Sequence, residues 1–215
     1  MKREGYVYLT PMPVRIWHWI NALGIVTLCL TGIQIRFPEY IGVFGRYKNA
    51  IILHNAAGIV VTGIYLVWLI YYGLIARTLR KLYIPTFTDV KKGVFRQATY
   101  YLYHYFTGAP NPHHSQPHDK FNPMQKVAYL AIMFGLLPLV CASGVLLLNV
   151  APLRDWVLMM GGIRLLVSAH FLIAASFTSF LFVHLYLATL GHTPLAHFKP
   201  MWTGWEKVDH ESDRA

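Results

Sequence analysis

Eleven histidines occur among 215 residues. Four of them, His18, His54, His170 and His184, fall within or at the ends of long apolar segments. An ionisable group inside a membrane helix is costly, so each is a functional group by default. A single such histidine could equally do no more than hydrogen-bond a neighbouring helix. No nucleophile–base arrangement, phosphate-binding loop or substrate pocket is legible elsewhere. The chemistry therefore rests on these four side chains and on whatever they hold.

The elements that must position them are set by composition. Hydrophobic residues make up 55% of the chain and charged residues 13%, about half the charged share of a soluble globular protein. Mean hydropathy is +0.41. So few charges cannot cover a water-facing surface, and so much apolar material excludes disorder. Cys29 and Cys141 lie in apolar runs with no CxxCH around either, which removes a disulfide scaffold, a zinc ribbon and covalent c-type haem. Four apolar segments reach the length of about 20 residues that a bilayer-crossing helix needs, near residues 16–37, 51–76, 127–150 and 163–190. The first follows Pro11 and Pro13 and carries His18 and Asn21 without a small-residue cleavage site, unlike a cleaved signal peptide. Pro138 in the third is tolerable where a neighbouring helix satisfies the freed carbonyl. The expected fold is an all-α integral membrane protein: one domain over 1–215, a four-helix transmembrane bundle with a long polar loop, 77–122, between helices two and three.

Basic residues orient it. Lys2, Arg3 and Arg15, then Arg77, Arg80, Lys81, Lys91, Lys92, Arg96 and Lys120, then Lys199, Lys207 and Arg214 all fall on one side of four spans. The other side holds Arg36, Arg46, Lys48, Arg154 and Arg164. Both termini and the long loop are expected in the cytoplasm. The net charge of +10 then reflects topology and anionic membrane lipid, with no basic patch on a soluble domain to suggest nucleic acid.

Depth pairs the histidines. His18 is near the cytoplasmic start of helix one, and His54 near the outer start of helix two. Helix four runs inward, with His170 about a third of the way down and His184 near its inner end. Those two are fourteen residues apart, about 21 Å along a helix and only about 40° short of whole turns. His18 can meet His184 at an inner level and His54 can meet His170 at an outer one. Bare divalent ions usually take three or four protein ligands, and no Asp, Glu or Cys stands beside these positions. Haem iron takes two axial ligands, the porphyrin supplying the rest. Two stacked b-type haems are expected. Gly24, Gly32, Ala56, Ala57, Gly58, Gly63, Ala169, Ala174, Ala175 and Ser176 could leave room for flat macrocycles, although ordinary helix packing explains them equally. Arg15, one turn from His18, is a candidate for the inner haem propionates. Arg36 and Arg46 are candidates for the outer ones, and each is also explicable as a snorkelling charge.

The run Pro13-Val14-Arg15-Ile16-Trp17-His18-Trp19, with Thr31-Gly32-Ile33 and Phe37-Pro38, resembles helix one of the bacterial di-haem transmembrane cytochrome b family. That family includes the membrane subunits of formate dehydrogenases, nickel–iron hydrogenases and thiosulfate reductases. Leu53-His54-Asn55-Ala56-Ala57-Gly58 and Phe121-Asn122-Pro123-Met124-Gln125-Lys126 are similar to its second helix and to the stretch entering its third. The segment from Thr193-Pro194-Leu195-Ala196-His197 through Thr203-Gly204-Trp205-Glu206 looks most like the thiosulfate-reductase-type branch. The resemblance implies a menaquinone or ubiquinone site beside the inner haem. Carried over from the formate dehydrogenase branch, its residue is Asn122, with Gln125 and Lys126 nearby and His184 on the haem side. Plain helix capping would also put an Asn–Pro pair there.

The expected function is electron transfer in a respiratory oxidoreductase complex of the bacterial inner membrane. Quinone exchanges electrons at one face. An extracytoplasmic iron–sulfur or multihaem subunit, docked on loops 38–50 and 151–162, does so at the other. Two further readings stand beside it: a passive haem-containing anchor of a periplasmic enzyme, and a metal-ion transporter, although transporter repeats and broken helices are not visible. The aromatic run Tyr100–Phe106 is expected to lie in the membrane interface. His113, His114 and His118, among prolines, suggest an exposed loop.

Overall fold

The computed structural model describes residues 5–113, 121–190, 193, 195, 196 and 198–207. His114, His118, Lys120, His192, Pro194, His197 and His210 lie outside the described residues, as do Lys2, Arg3 and Arg214.

Among the described residues, four helices are long and apolar enough to cross a membrane: Met12–Arg36, Tyr47–Ile75, Pro123–Leu148 and Ile163–Thr189. The first, α1 (Met12–Arg36), starts four residues before the expected boundary because Pro13 falls in its opening turn, where a missing N–H costs nothing. It stops ahead of Phe37-Pro38, since the residue before a proline is pushed out of the helical region. Next, α2 (Tyr47–Ile70) runs into a π-helical turn, Tyr71–Ile75. The 77–122 connection is more ordered than its polarity suggests. It holds α3 (Leu79–Tyr83), a π turn at Asp89–Gly93, α4 (Val94–Thr99) and a π turn at Tyr100–His104. In the third span, α5 (Pro123–Ala131) passes through a π turn, Ile132–Leu136, into α6 (Leu137–Leu148). A short α7 (Arg154–Met159) ends at Gly161 and Gly162, with φ of +92° and +85°, a reversal that residues with a Cβ resist. It leads to α8 (Ile163–Thr189). After α9 (Lys199–Thr203), β2 (Trp205–Lys207) pairs antiparallel with β1 (Tyr6–Tyr8), Val7 opposite Glu206.

The chain divides into two compact units. One comprises Trp19–Ile75 and Ile132–Leu181. Its burial is inverted relative to a soluble protein: Leu23, Ile59, Val67 and Leu172 are exposed, whereas Asn21, Thr31, Gln34 and Ser143 are buried. Apolar side chains facing outward and polar ones inward suit lipid as the solvent. A Cβ on Gly24 would lie 2.5 Å from Val61 Cγ2, so glycine there lets α1 and α2 approach closely. Pro138 removes a backbone donor and displaces the third span into the preceding π turn. The Met133 carbonyl is met by the Tyr65 hydroxyl at 2.9 Å. Gln34 fastens the 38–50 loop, its amide donating to the Gly45 carbonyl and accepting from the Phe44 N–H.

The other unit comprises Met1–His18, Ala76–Ala131 and Phe182–Ala215. Gly204 accepts from the Leu9 and Thr10 amides, and it caps α9 with φ +86°. The Tyr8 ring presses on its Cα, where a Cβ would collide. Tyr83 packs edge to face with Tyr129, and Phe121 lies tilted against both rings. Asp89 closes a turn on the Thr86 amide and forms an ion pair with Lys126 at 3.5 Å. Desolvation pulls the Asp89 carboxyl upward, but the Thr86 amide and hydroxyl and the Lys126 ammonium outweigh it and hold the group below its ordinary value.

Candidate functional site

The structure brings His18 of α1 against His184 of α8, ring centres 6.4 Å apart and planes at 54°. It brings His54 of α2 against His170 of α8, at 6.3 Å and 74°. The separations carry the chemical argument. A metal–imidazole bond is about 2.0 Å, and a ring nitrogen lies about 1.15 Å from the centre of a five-membered ring with bonds near 1.35 Å. Two imidazoles on opposite sides of one metal therefore have centres about 6.3 Å apart. Stacked rings would be closer, and the centre separations of both pairs match that span. Among the described residues, no three His, Cys, Asp or Glu side chains group to hold a metal. A donor set of two opposed imidazoles suits an iron whose other four ligands are its own, as in haem.

The His54–His170 pair is held from behind. His54 Nδ1 lies 2.9 Å from Thr31 Oγ1, and His170 Nδ1 lies 2.8 Å from Ser143 Oγ. Thr31 is fully buried, and its hydroxyl donates to the Thr27 carbonyl at 2.7 Å. Ser143 does the same to Leu139 at 2.8 Å. Each hydroxyl is followed by a glycine. A Cβ on Gly32 or Gly144 would stand 3.5 Å from Cε1 of His54 or His170, an ordinary contact, so each glycine borders its ring without a larger residue being shut out. The Thr31-Gly32 dipeptide on α1 faces His54, and Ser143-Gly144 on α6 faces His170. Sequence reasoning used Thr31-Gly32 in a resemblance, counted Gly32 among the small residues that could make room for a macrocycle, and overlooked Ser143-Gly144; the recurring hydroxyl–glycine pair was the available signal.

Arg15 of α1, one turn before His18, donates through a terminal nitrogen to the Trp202 carbonyl of α9. Its Nε is buried without a hydrogen-bond partner among the described residues. An obligate cation with an unspent buried donor fits a carboxylate such as a haem propionate. The Arg36 guanidinium sits over Phe37 and Phe171, 5.0 and 5.7 Å from their centroids, beside His170 in sequence. Of the small residues noted in the sequence, Gly24 serves helix packing against Val61.

Asn122 is buried and caps α5. Its Oδ1 accepts from the Gln125 N–H at 2.8 Å, and Gln125 Oε1 accepts from the Asn122 N–H at 3.0 Å, a reciprocal capping box. The Asn122 amide nitrogen donates to Tyr101 Oη at 3.3 Å, and Lys126 pairs with Asp89. The three residues assigned to quinone by resemblance thus share a polar cluster in which capping occupies Gln125 and most of Asn122. Tyr101 is the residue sequence reasoning passed over. Its oxygen receives side-chain hydrogen bonds from Gln97 and Asn122, and burial, only partly offset by them, raises the phenol above its ordinary value.

Residues 9–204 match the family model for prokaryotic cytochrome b561. The chain is 31% identical over 207 residues to the protein named "Putative cytochrome YdhU" of Escherichia coli K12, covering 94% of this chain and 75% of that one. It is 35% identical over 68 residues to the "Probable Ni/Fe-hydrogenase B-type cytochrome subunit" of Rhodobacter capsulatus, covering 29% of this chain and 26% of the relative. The protein of the same name from Rhizobium leguminosarum is 62% identical over 32 residues, 15% of this chain and 13% of that one.

Proposed function

The chain belongs to the prokaryotic cytochrome b561 family, and from that membership we propose that it is a two-haem membrane subunit passing electrons between quinone and an extracytoplasmic redox partner. The observation that carries the reading is the spacing of the two histidine pairs, 6.4 and 6.3 Å between ring centres. His18 and His184 hold the inner haem b and His54 and His170 the outer. Bound there, the haems supply one-electron iron couples, tuned by the groups around them.

The chain's own residues do the rest. The apolar helices keep water from the imidazoles, and Arg15 and Arg36 offer cationic ends to propionates. Quinone meets the protein near the inner pair, in the polar cluster of Asn122, Gln125, Lys126 and Tyr101. Because Tyr101 oxygen already accepts from Gln97 and Asn122, its own proton is left to donate to a quinone carbonyl. The raised phenol keeps that proton through neutral pH, and Asn122 acts by orienting it. The 38–50 loop, fastened by Gln34, and the 151–162 loop dock the partner, with Arg46, Lys48 and Arg154 as its cationic contacts. The names borne by the Rhodobacter and Rhizobium relatives favour a redox-enzyme partner. The thiosulfate-reductase-like and formate-dehydrogenase-like types remain the proposed classes. The basic-residue bias supports the bacterial inner membrane with both termini in the cytoplasm.

The test is quinol-driven reduction of an external acceptor by the complex in proteoliposomes. His54→Ala should collapse turnover while leaving the partner bound. Turnover retained in that variant would contradict conduction and leave a passive anchor.

A further inference from the structure

We propose that Thr31 and Ser143 are positioning residues that set the tautomer of the outer histidines and lower the midpoint potential of the haem they hold. The inference rests on the reading that this pair binds haem iron. The hydroxyl protons of Thr31 and Ser143 are committed to carbonyls of their own helices, Thr27 at 2.7 Å and Leu28 at 3.2 Å for Thr31, Leu139 at 2.8 Å and Val140 at 3.1 Å for Ser143. Each hydroxyl oxygen can then face its histidine only as an acceptor, so the proton shared at 2.9 Å with His54 and at 2.8 Å with His170 belongs to Nδ1. Neutral imidazole carries one proton. With Nδ1–H fixed, the Nε2 lone pair of each ring is the one left for the gap between the rings.

The same bond acts on the iron. An Nδ1–H that donates to an oxygen makes the ring a stronger base, as the outer partners of metal-bound histidines do. A more basic axial ligand favours the oxidised metal and lowers the potential. The bond chain continues through the hydroxyl into a helix carbonyl, and such chains polarise one another. The device occurs twice, once on α1 facing His54 and once on α6 facing His170. Both ligands of one haem are thereby pushed in the same direction.

The experiment compares wild type with Thr31→Val and Ser143→Ala, which delete the hydroxyls, and with Thr31→Ser and Ser143→Thr, which keep them. Haem per chain is measured by pyridine haemochrome, and both haems are followed by optical redox titration. In Thr31→Val and Ser143→Ala, one titrating component should move to higher potential. Poised at its wild-type midpoint, its reduced-to-oxidised ratio rises several-fold while the other component stays put. Thr31→Ser and Ser143→Thr should restore it. Haem lost in the deletion variants and regained in the hydroxyl-keeping ones also supports the proposal. Unmoved potentials with full haem, or haem lost equally in Thr31→Val and Thr31→Ser, would overturn it. A wild-type protein without haem would instead sink the reading beneath it.

Discussion

Asn122 joins the capping of α5 to the orientation of Tyr101, and substitution can separate the two. Asn122→Ala removes the Oδ1 bond to Gln125 and the Nδ2 bond to Tyr101. Loss of an N-cap costs about 1 kcal/mol, and loss of one further hydrogen bond costs about 1 kcal/mol. The expected destabilisation of the unit that holds the 77–122 loop is therefore about 2 kcal/mol. Asn122→Ser keeps an oxygen that caps nearly as well but has no amide to reach Tyr101, so about half of the cost should return. Stability is read by urea titration of tryptic cleavage in the 77–122 loop, in detergent. Quinone KM is read in parallel. On the proposed role for Tyr101, both substitutions raise KM, Tyr101→Phe raises it further, and only Asn122→Ala loses the cap. Equal loop stability in Asn122→Ala and wild type would refute the capping argument. An unchanged KM in Tyr101→Phe would refute the donor argument.

Other consequences follow from the packing. Gly24→Ala forces a Cβ to within 2.5 Å of Val61 Cγ2. It should destabilise the helix pair by about 1–3 kcal/mol, measured by SDS titration, and Gly24→Ala/Val61→Ala should recover most of the loss. Tyr65→Phe leaves the Met133 carbonyl beside Pro138 without its hydroxyl donor. It should cost about 1–3 kcal/mol in the same assay, and no loss would mean the π turn satisfies itself. The Asp89 carboxyl is held below its ordinary value, so its contribution is present above the unfolded carboxyl pKa and is lost as pH falls through the lower folded one. Amide exchange across Thr86–Gly93 should accelerate in that acid window in wild type. Asp89→Asn should show no such step.

The four spans were legible because a bilayer asks only for length and hydropathy, and a helix supplies both within one segment. Their starts were less so. Pro13 in an opening turn and the Asn122-Pro123 cap carry α1 and α5 into polar sequence that hydropathy discounts. The approach of His18 to His184 and of His54 to His170 could be worked out from depth and helical phase. What stands behind the rings could not, since Ser143 meets His170 across 27 positions and Tyr65 meets Met133 across 68. Only the repeated hydroxyl–glycine pair hinted at the first, and no local pattern encodes the second. The pairing of β1 with β2 was invisible for a related reason: three-residue strands at the two ends of the chain carry no periodicity. In the 77–122 loop, charge masked short helices that depend on tertiary ties such as Asp89–Lys126.

The central claim is that two opposed histidine pairs each hold one haem. The most direct measurement is pyridine haemochrome per chain on purified protein, with a dithionite-reduced minus oxidised spectrum, for wild type, His54→Ala and His184→Ala. The account predicts two b haems per chain in wild type and one in each variant, with different components lost. No haem in wild type, or both haems surviving either substitution, would contradict it.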